Sequence, residues 1–585
     1  MLSYRKLAMR VLGRPLHTGG GIDSPRPASQ RAAALVLTAA MLTTFTAPAF
    51  AKTWYIEDGD ITISASETKG TNKVSQGAEP EVEDTGTIIT NREKDASSHT
   101  VTINAGNDKV EVTLDNVNIK ADSGSALISK GDVTLTLKGD NHLTGGNGGS
   151  SSYGGDGITS SGSLTISGGT VTATGGDSTS SVGSGGSGIY SVSGDVTISG
   201  GTVNANGGDG KNGSGGGSGI DSSGGVTVSG GTVTANGGDS KDGDGGSGGY
   251  GISSSGVAIS GGTVTANGGD GGSGSGSHGG NGIYSSGGVT ISSGSTVTAN
   301  GGDGEDGSGG RGITSNGGVT VSGGTVNAKG GSGKNGNGGD GIRSFNPVAI
   351  SGGTVNANGG NSDYSNGGDG IRSLDHVAIS GGTVKSNGGS GNLSGGNGII
   401  SYDIDLSGSL ELTAKAGSPN GKALSRVGSE LDLNTIKDKL DPGAKVTATD
   451  ADGKVIQQVS IPRPVEPEEP SSSSDSGSAT SSAPASPLPG LTVTDKDGQR
   501  ISYTSTQSGN TLTVCVGRFT ASLRASLAAL RQLRAEGIET ITFQTILCST
   551  TLSVDELLAM GGEDAEVVLT HHIRSSTLTV GGRAV

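Results

Sequence analysis

The sequence predicts an all-β chain: a right-handed parallel β-helix followed by a small C-terminal α/β (α+β) module. Three observations predict it. A unit of about thirty residues recurs along the chain, residues inside each unit alternate apolar and polar, and glycine supplies 115 of the 585 residues. Collagen is excluded, because glycine does not fall at every third position and there are only 15 prolines. A flexible linker would not need the alternation.

The unit carries two fixed marks, "GI" and "SGGTV" (once "SGSTV"). The GI isoleucines run from Ile158 through Ile189, Ile220 and Ile252 to Ile399, and the threonines of the TV pair from Thr170 to Thr383, at spacings of 28 to 33 residues. In "VTIS" valine and isoleucine share a face, as valine and alanine do in "TVTA", while "GIYS" turns one isoleucine the same way. Each unit therefore offers three short strands, separated by "SGG" corners and a longer Gly-rich loop. Glycine and β-branched residues exclude helices here. Three strands per turn, stacked at about 4.8 Å, make a parallel β-helix, and the crossover rule for parallel strands makes it right-handed. Its interior is expected to hold Leu164 with Ile166, Val196 with Ile198, Val226 with Val228 and Val257 with Ile259, with Thr165, Thr197 and Thr227 outside.

The regular units span 157–400 inside a β-helix of 52–460. Before them, "TWYIEDGDITIS" and "DVTLTLKGDNHLTGG" read as irregular first coils; after them, "KVTATDADGKVIQQVSI" reads as part of the last coils and a closing hairpin. A Pro/Ser-rich acidic linker follows at 461–490. Beyond it, 491–585 alternates strand-like stretches with "ASLRASLAALRQLRAEG", read as a helix ending at Gly537, and "SVDELLAMGG", a short helix capped by Ser553 and closed by Gly561. Cys515 and Cys548 fall on two of these strands and form either one disulfide or two buried thiols. His571 and His572 are adjacent, so on a strand they face opposite ways and share no metal.

Residues 1–51 read as a signal peptide. Arg5, Lys6, Arg10 and further cations precede the apolar run "AAALVLTAAMLTTF", and Ala49-Phe50-Ala51 is an A-x-A site with cleavage before Lys52. The chain is thus expected to be secreted, extracellular or on the cell surface, with no transmembrane segment after cleavage. A net charge of −16 excludes nucleic acid as the expected partner, since phosphate binding needs clustered Lys and Arg.

"TWYIEDGDITIS", "LTLKGDNHLTGG" and the "GGxGI…VTISGGTVTANGG" units resemble secreted Gly-rich parallel β-helix proteins of Gram-positive anaerobes, classed as carbohydrate-binding. The likeness covers most of residues 52–460. It implies binding of a polysaccharide or cell-surface glycan, and bound calcium.

No catalytic constellation emerges. Gly245–Gly249 fits the G-x-S-x-G nucleophile pattern, but glycine saturation produces such matches by chance and no strand–turn–helix surrounds it. Binding fits better. The residue after each GI isoleucine faces outward and varies from coil to coil, and it includes Tyr190, Tyr284, Arg343 and Arg372. Tyrosine faces stack on pyranose rings, so these four are the expected sugar-binding residues. Asp177, Asp209, Asp239, Asp270 and Asp303 each follow "TGG" or "NGG" on successive coils. Stacked in register they would repel, and calcium between them would relieve this, with further oxygens from Asp242, Asp244, Glu305, Asp306, Asn206, Asn236, Asn267 and Asn300. The rival readings are a structural or adhesive rod that displays the C-terminal module and, further off, a β-helix polysaccharide lyase or hydrolase.

Overall fold

The computed structural model describes residues 52–149, 152–180, 183–241, 245–274 and 276–462, and in the C-terminal part 491–495, 499–501, 503–508, 510–516, 520–545, 549–560, 565–571, 576–581 and 583–584. The signal peptide, nearly all of the linker, Asp242, Asp244, Cys548, Gly561 and His572 lie outside the described residues. The chain divides into two compact units, one ending at Val465 and the other beginning at Glu466.

The first unit is a β-solenoid with one coil per repeat. Its first strand pairs in parallel from coil to coil, and its inward column runs Ile61, Val101, Leu127, Ile158, Ile189 and on through Ile399 to Leu424. The second strand stacks Val133, Leu164, Val196, Val226, Val257, Val289 and Val319. The third stacks Val171, Val203, Val233, Val264 and Val297. Each interior residue expected from the alternation is buried, and Thr165, Thr197 and Thr227 sit between them partly exposed. No helix occurs among the described residues between Gly157 and Gly398.

The coil has more inside it than three aliphatic rows. The serine two places after each GI isoleucine also points inward: Ser160, Ser191, Ser222, Ser285 and Ser315 are buried. A hydroxyl is wanted there because the chain turns and leaves carbonyls without strand partners. Ser191 Oγ donates to the Gly194 carbonyl at 3.0 Å and Ser315 Oγ to that of Gly318 at 2.7 Å.

The Gly-rich loop is ordered by a ladder of its own. Its two arms alternate along the axis: Gly249 N–H donates to Gly238 O, Gly238 to Gly217, Gly217 to Gly208 and Gly208 to Gly186, each at 2.8 Å. The same zigzag runs on to Gly417 at one end and Gly146 at the other. Backbones this close leave no room for a side chain. A Cβ on Gly249 would lie 1.8 Å from the Gly217 carbonyl oxygen. At the "SGG" corner, Gly201 adds a conformational demand, with φ +78° and the Gly168 oxygen 1.5 Å from its would-be Cβ. Glycine is thus a packing element here, and this accounts for its abundance.

Antiparallel pieces close both ends. Ile61–Ala65 pairs with Asn72–Gln76, which pairs with Val82–Asp84, and Lys445–Thr449 pairs with Val455–Ser460. The second pair is the closing hairpin expected from the sequence. Such ends turn the open edge of the ladder away from further pairing.

Among the described residues the second unit holds a five-stranded and a four-stranded sheet with two helices, α1 (Leu527–Ala535) and α2 (Val554–Ala559). Part of the helix expected from "ASLRASLAALRQLRAEG" is instead a strand, Ala521–Ser526. There Ala521, Leu523 and Ala525 are buried with period two, whereas Leu527, Leu530 and Leu533 follow the helical period. Ser526 marks the change by accepting the Ala529 N–H at 3.1 Å. Gly537, at φ +91°, follows the end of α1, and Ser553 caps α2 as expected.

Candidate functional site

Two outward columns flank each GI bend: the residue one place after the isoleucine and the residue two places before it. Tyr190 and Tyr284 belong to the first column. They are three coils apart, separated by Asp221 and Ser253, or about 14 Å at strand spacing, so the structure does not bring them together. Tyr284 stacks instead on Tyr250 of the preceding coil, with ring centroids 5.4 Å apart and planes 17° from parallel. Tyr250 comes from the second column, two places before Ile252.

Arg343 and Arg372 are direct neighbours in register. Each sits over a carboxylate from its own bend. Arg372 Nη1 is 3.1 Å from Asp369 Oδ2 and Arg343 Nη1 is 3.8 Å from Asp340 Oδ2, while Arg311 Nε approaches the same Asp340 oxygen at 3.5 Å. Asp340 and Asp369 are buried. The Asp340 Oδ1 accepts the Asp369 N–H at 2.9 Å, and the Asp369 Oδ1 accepts the Asn397 N–H at 2.6 Å and its side-chain amide at 2.8 Å. Burial, then the neighbouring Asp340, pushes the Asp369 carboxyl up. Burial, then Arg311, pushes Arg343 down. These side chains line a groove of about 250 Å³.

A second hollow, of about 260 Å³, adjoins the first through Arg372. It is apolar, with walls from Leu374, Ile400, Tyr402 and Val427. Phe345, Leu374, Tyr402 and Val427 hold the same place on four successive coils, three residues after the inward residue of the bend. The Arg343 guanidinium lies 5.2 Å from the Phe345 ring centroid. Tyr402 is 65% and Val427 69% exposed. Coils 311–427 thus present a charged groove and an apolar shelf side by side.

The aspartate column behaves differently from a cage. Asp177, Asp209, Asp239, Asp270 and Asp303 do stack on successive coils, and each carboxylate accepts the backbone N–H of the next: Asp209 N to Asp177 at 3.0 Å, Asp270 N to Asp239 at 2.9 Å, Asp303 N to Asp270 at 2.7 Å. Lys211 lies 4.0 Å from Asp177, and Lys241 pairs with Asp209. Burial, with Asp239 and Asp303 on either side, raises the Asp270 carboxyl. The asparagines expected to lend oxygens to calcium are turned to one another instead, because in-register stacking sets amide against amide. Asn236 donates to Asn206 at 2.9 Å, and Asn300 to Asn267 at 2.9 Å. Among the described residues, no three histidine, cysteine or carboxylate groups converge on a metal position.

In the second unit, Cys515 lies on a strand with Sγ 3.5 Å from Gln544 Oε1. His571 is buried between Thr545 and Thr550 and tilts against Phe543 at 4.8 Å.

Four segments of the solenoid, residues 164–188, 196–218, 257–281 and 348–371, match a family described as Beta helix repeat. No curated protein and no solved structure matches the chain. No helix among the described residues is long and apolar enough to cross a membrane.

Proposed function

We propose that this chain is a secreted, non-catalytic, carbohydrate-binding β-helix protein that holds a polysaccharide against the outer face of its coils. The observation that carries this reading is the junction at Arg372 of a groove of Arg, Asp and Asn side chains with an exposed apolar shelf. A pyranose needs both: an apolar surface for its ring face and oriented polar groups for its hydroxyls. Tyr190 and the Tyr250–Tyr284 stack extend the face toward the N-terminal coils.

The non-catalytic reading rests on how the two buried carboxylates are occupied. Asp340 and Asp369 each give one oxygen to a backbone N–H and the other to an arginine, an arrangement that supports a role in holding the arginines in place. Calcium belongs to the proposal as a brace on the loop aspartates. It would act on Asp239, Asp270 and Asp303, because the lysine pairs on this column, among the described residues, reach Asp177 and Asp209.

The test is a glycan array probed with the full chain, followed by an assay for new reducing or unsaturated ends on any polysaccharide bound. Binding without cleavage is expected. Absence of binding to every plant and host polysaccharide would turn the reading toward a structural rod, and cleavage would make the chain an enzyme.

A further inference from the structure

We propose that the groove of Arg311, Arg343 and Arg372 takes an anionic group carried on a glycan, a carboxylate or a sulfate ester, while the sugar ring bearing it rests on the shelf of Tyr402 and Val427. This deepens the carbohydrate-binding reading and rests on it.

The charge of the groove is the first reason. Its lining includes three guanidinium groups against two carboxylates, a local excess of positive charge on a chain of net charge −16. Arg343 and Arg372 occupy the same place on adjacent coils, about 4.8 Å apart along the axis, where like charges repel. Asp340 and Asp369 offset part of it, and an oxyanion between the two arginines offsets the rest.

Unused donors are the second reason. The Nε–H groups of Arg343 and Arg372 are buried without a hydrogen-bond partner, and that of Arg311 has only the Asp340 oxygen at 3.5 Å. Buried donors are normally satisfied, and an unsatisfied set calls for an explanation. The guanidinium fork fits a planar or tetrahedral oxyanion through paired N–H donors, whereas a neutral hydroxyl would meet only one of them.

The third reason is the conformation of Val427. It forms the two-residue turn Val427–Gly428 between Leu424–Arg426 and Ser429–Glu430, with φ +48° and +79°. Such hairpin turns favour Asn-Gly, because both central residues need positive φ. A β-branched residue in that region is strained, and this one is 69% exposed, so it gains almost nothing from burial in return. An apolar side chain held in water against its backbone preference points to a surface that a ligand covers. Nucleic acid is the less fitting anion: three arginines in one short groove cannot follow a run of phosphates.

The experiment measures binding of the full chain to dextran, dextran sulfate, polygalacturonate and single-stranded DNA. Binding to the sulfated or the uronate polymer at least tenfold tighter than to dextran is expected, and the arm that binds identifies the anion. Arg343→Gln with Arg372→Gln should erase that preference. Val427→Asn should weaken binding while raising the thermal midpoint, a combination that general damage to the fold does not produce. Equal affinity for dextran and both acidic polymers would overturn this inference and leave carbohydrate binding standing. Preference for DNA, or no polymer bound here or on the array, would overturn both.

Discussion

The side-chain amide of Asn267 donates to Asn236 Oδ1 at 2.8 Å, and its own oxygen accepts from Asn300 at 2.9 Å on the next coil. Asn267 is therefore an interior rung of an amide ladder. Asn267→Ala removes two hydrogen bonds and leaves a donor and an acceptor half-buried. A loss of about 1–3 kcal/mol is expected, read from denaturant unfolding. A cost no larger than that of an ordinary surface substitution would mean that the ladder contributes nothing.

Two glycine substitutions separate packing from composition. Gly249→Ala drives a methyl group into the Gly217 carbonyl, and overpacking of this kind costs about 1–3 kcal/mol or more. Gly200 has open space around its would-be Cβ and no positive φ. Gly200→Ala is expected to be neutral, or to stabilise by about 0.4–1 kcal/mol through the unfolded chain. Equal effects at the two positions would contradict the close backbone approach described for the loop arms.

His571 gives the second unit a pH dependence. Burial lowers its pKa below the ordinary 6.5, so the folded unit prefers the neutral ring. The unfolded chain then takes up the proton first as pH falls. The stability associated with His571 is complete above about 6.5 and declines through the window below it, levelling off once the folded pKa is passed. Chemical denaturation of the C-terminal unit at pH 7.5 and pH 5.5 should show this loss, and His571→Phe should remove it.

Calcium is expected to raise the thermal midpoint of the β-helix in millimolar amounts relative to chelator, since extracellular sites are typically weak, about 10⁻⁴–10⁻³ M. Asp270→Asn, in the middle of the three aspartates that no lysine pairs with among the described residues, should reduce that rise. An unchanged midpoint, with no calcium by elemental analysis, would leave the N–H ladder as the whole account of these aspartates.

The fold was legible because each coil repeats the same few inward residues. Val196 or Ile198 can be placed without reference to anything but their neighbours two positions away. The site was legible only in part. Arg343 and Arg372 stand out in one column, but Arg311, Asp340, Asp369 and Tyr250 lie three residues earlier, across the Gly-Ile bend. Only the path of that bend sets the two columns side by side. Tyr402 and Val427 were hidden for a different reason: they fall where the repeat loses its marks and the chain turns through an irregular hairpin. The strand Ala521–Ser526 was misread because alanine, serine and leucine suit either period, and the switch depends on the cap at Ser526.

The zigzag of glycine hydrogen bonds has an evolutionary consequence. Every rung joins one coil only to those next to it, and the rungs are nearly interchangeable. A coil gained or lost would therefore rejoin the same ladder and leave the rest of the structure in place. The outward residues would travel with their coil as a set. Length and surface lettering can thus change by whole coils, while the architecture that carries them stays the same.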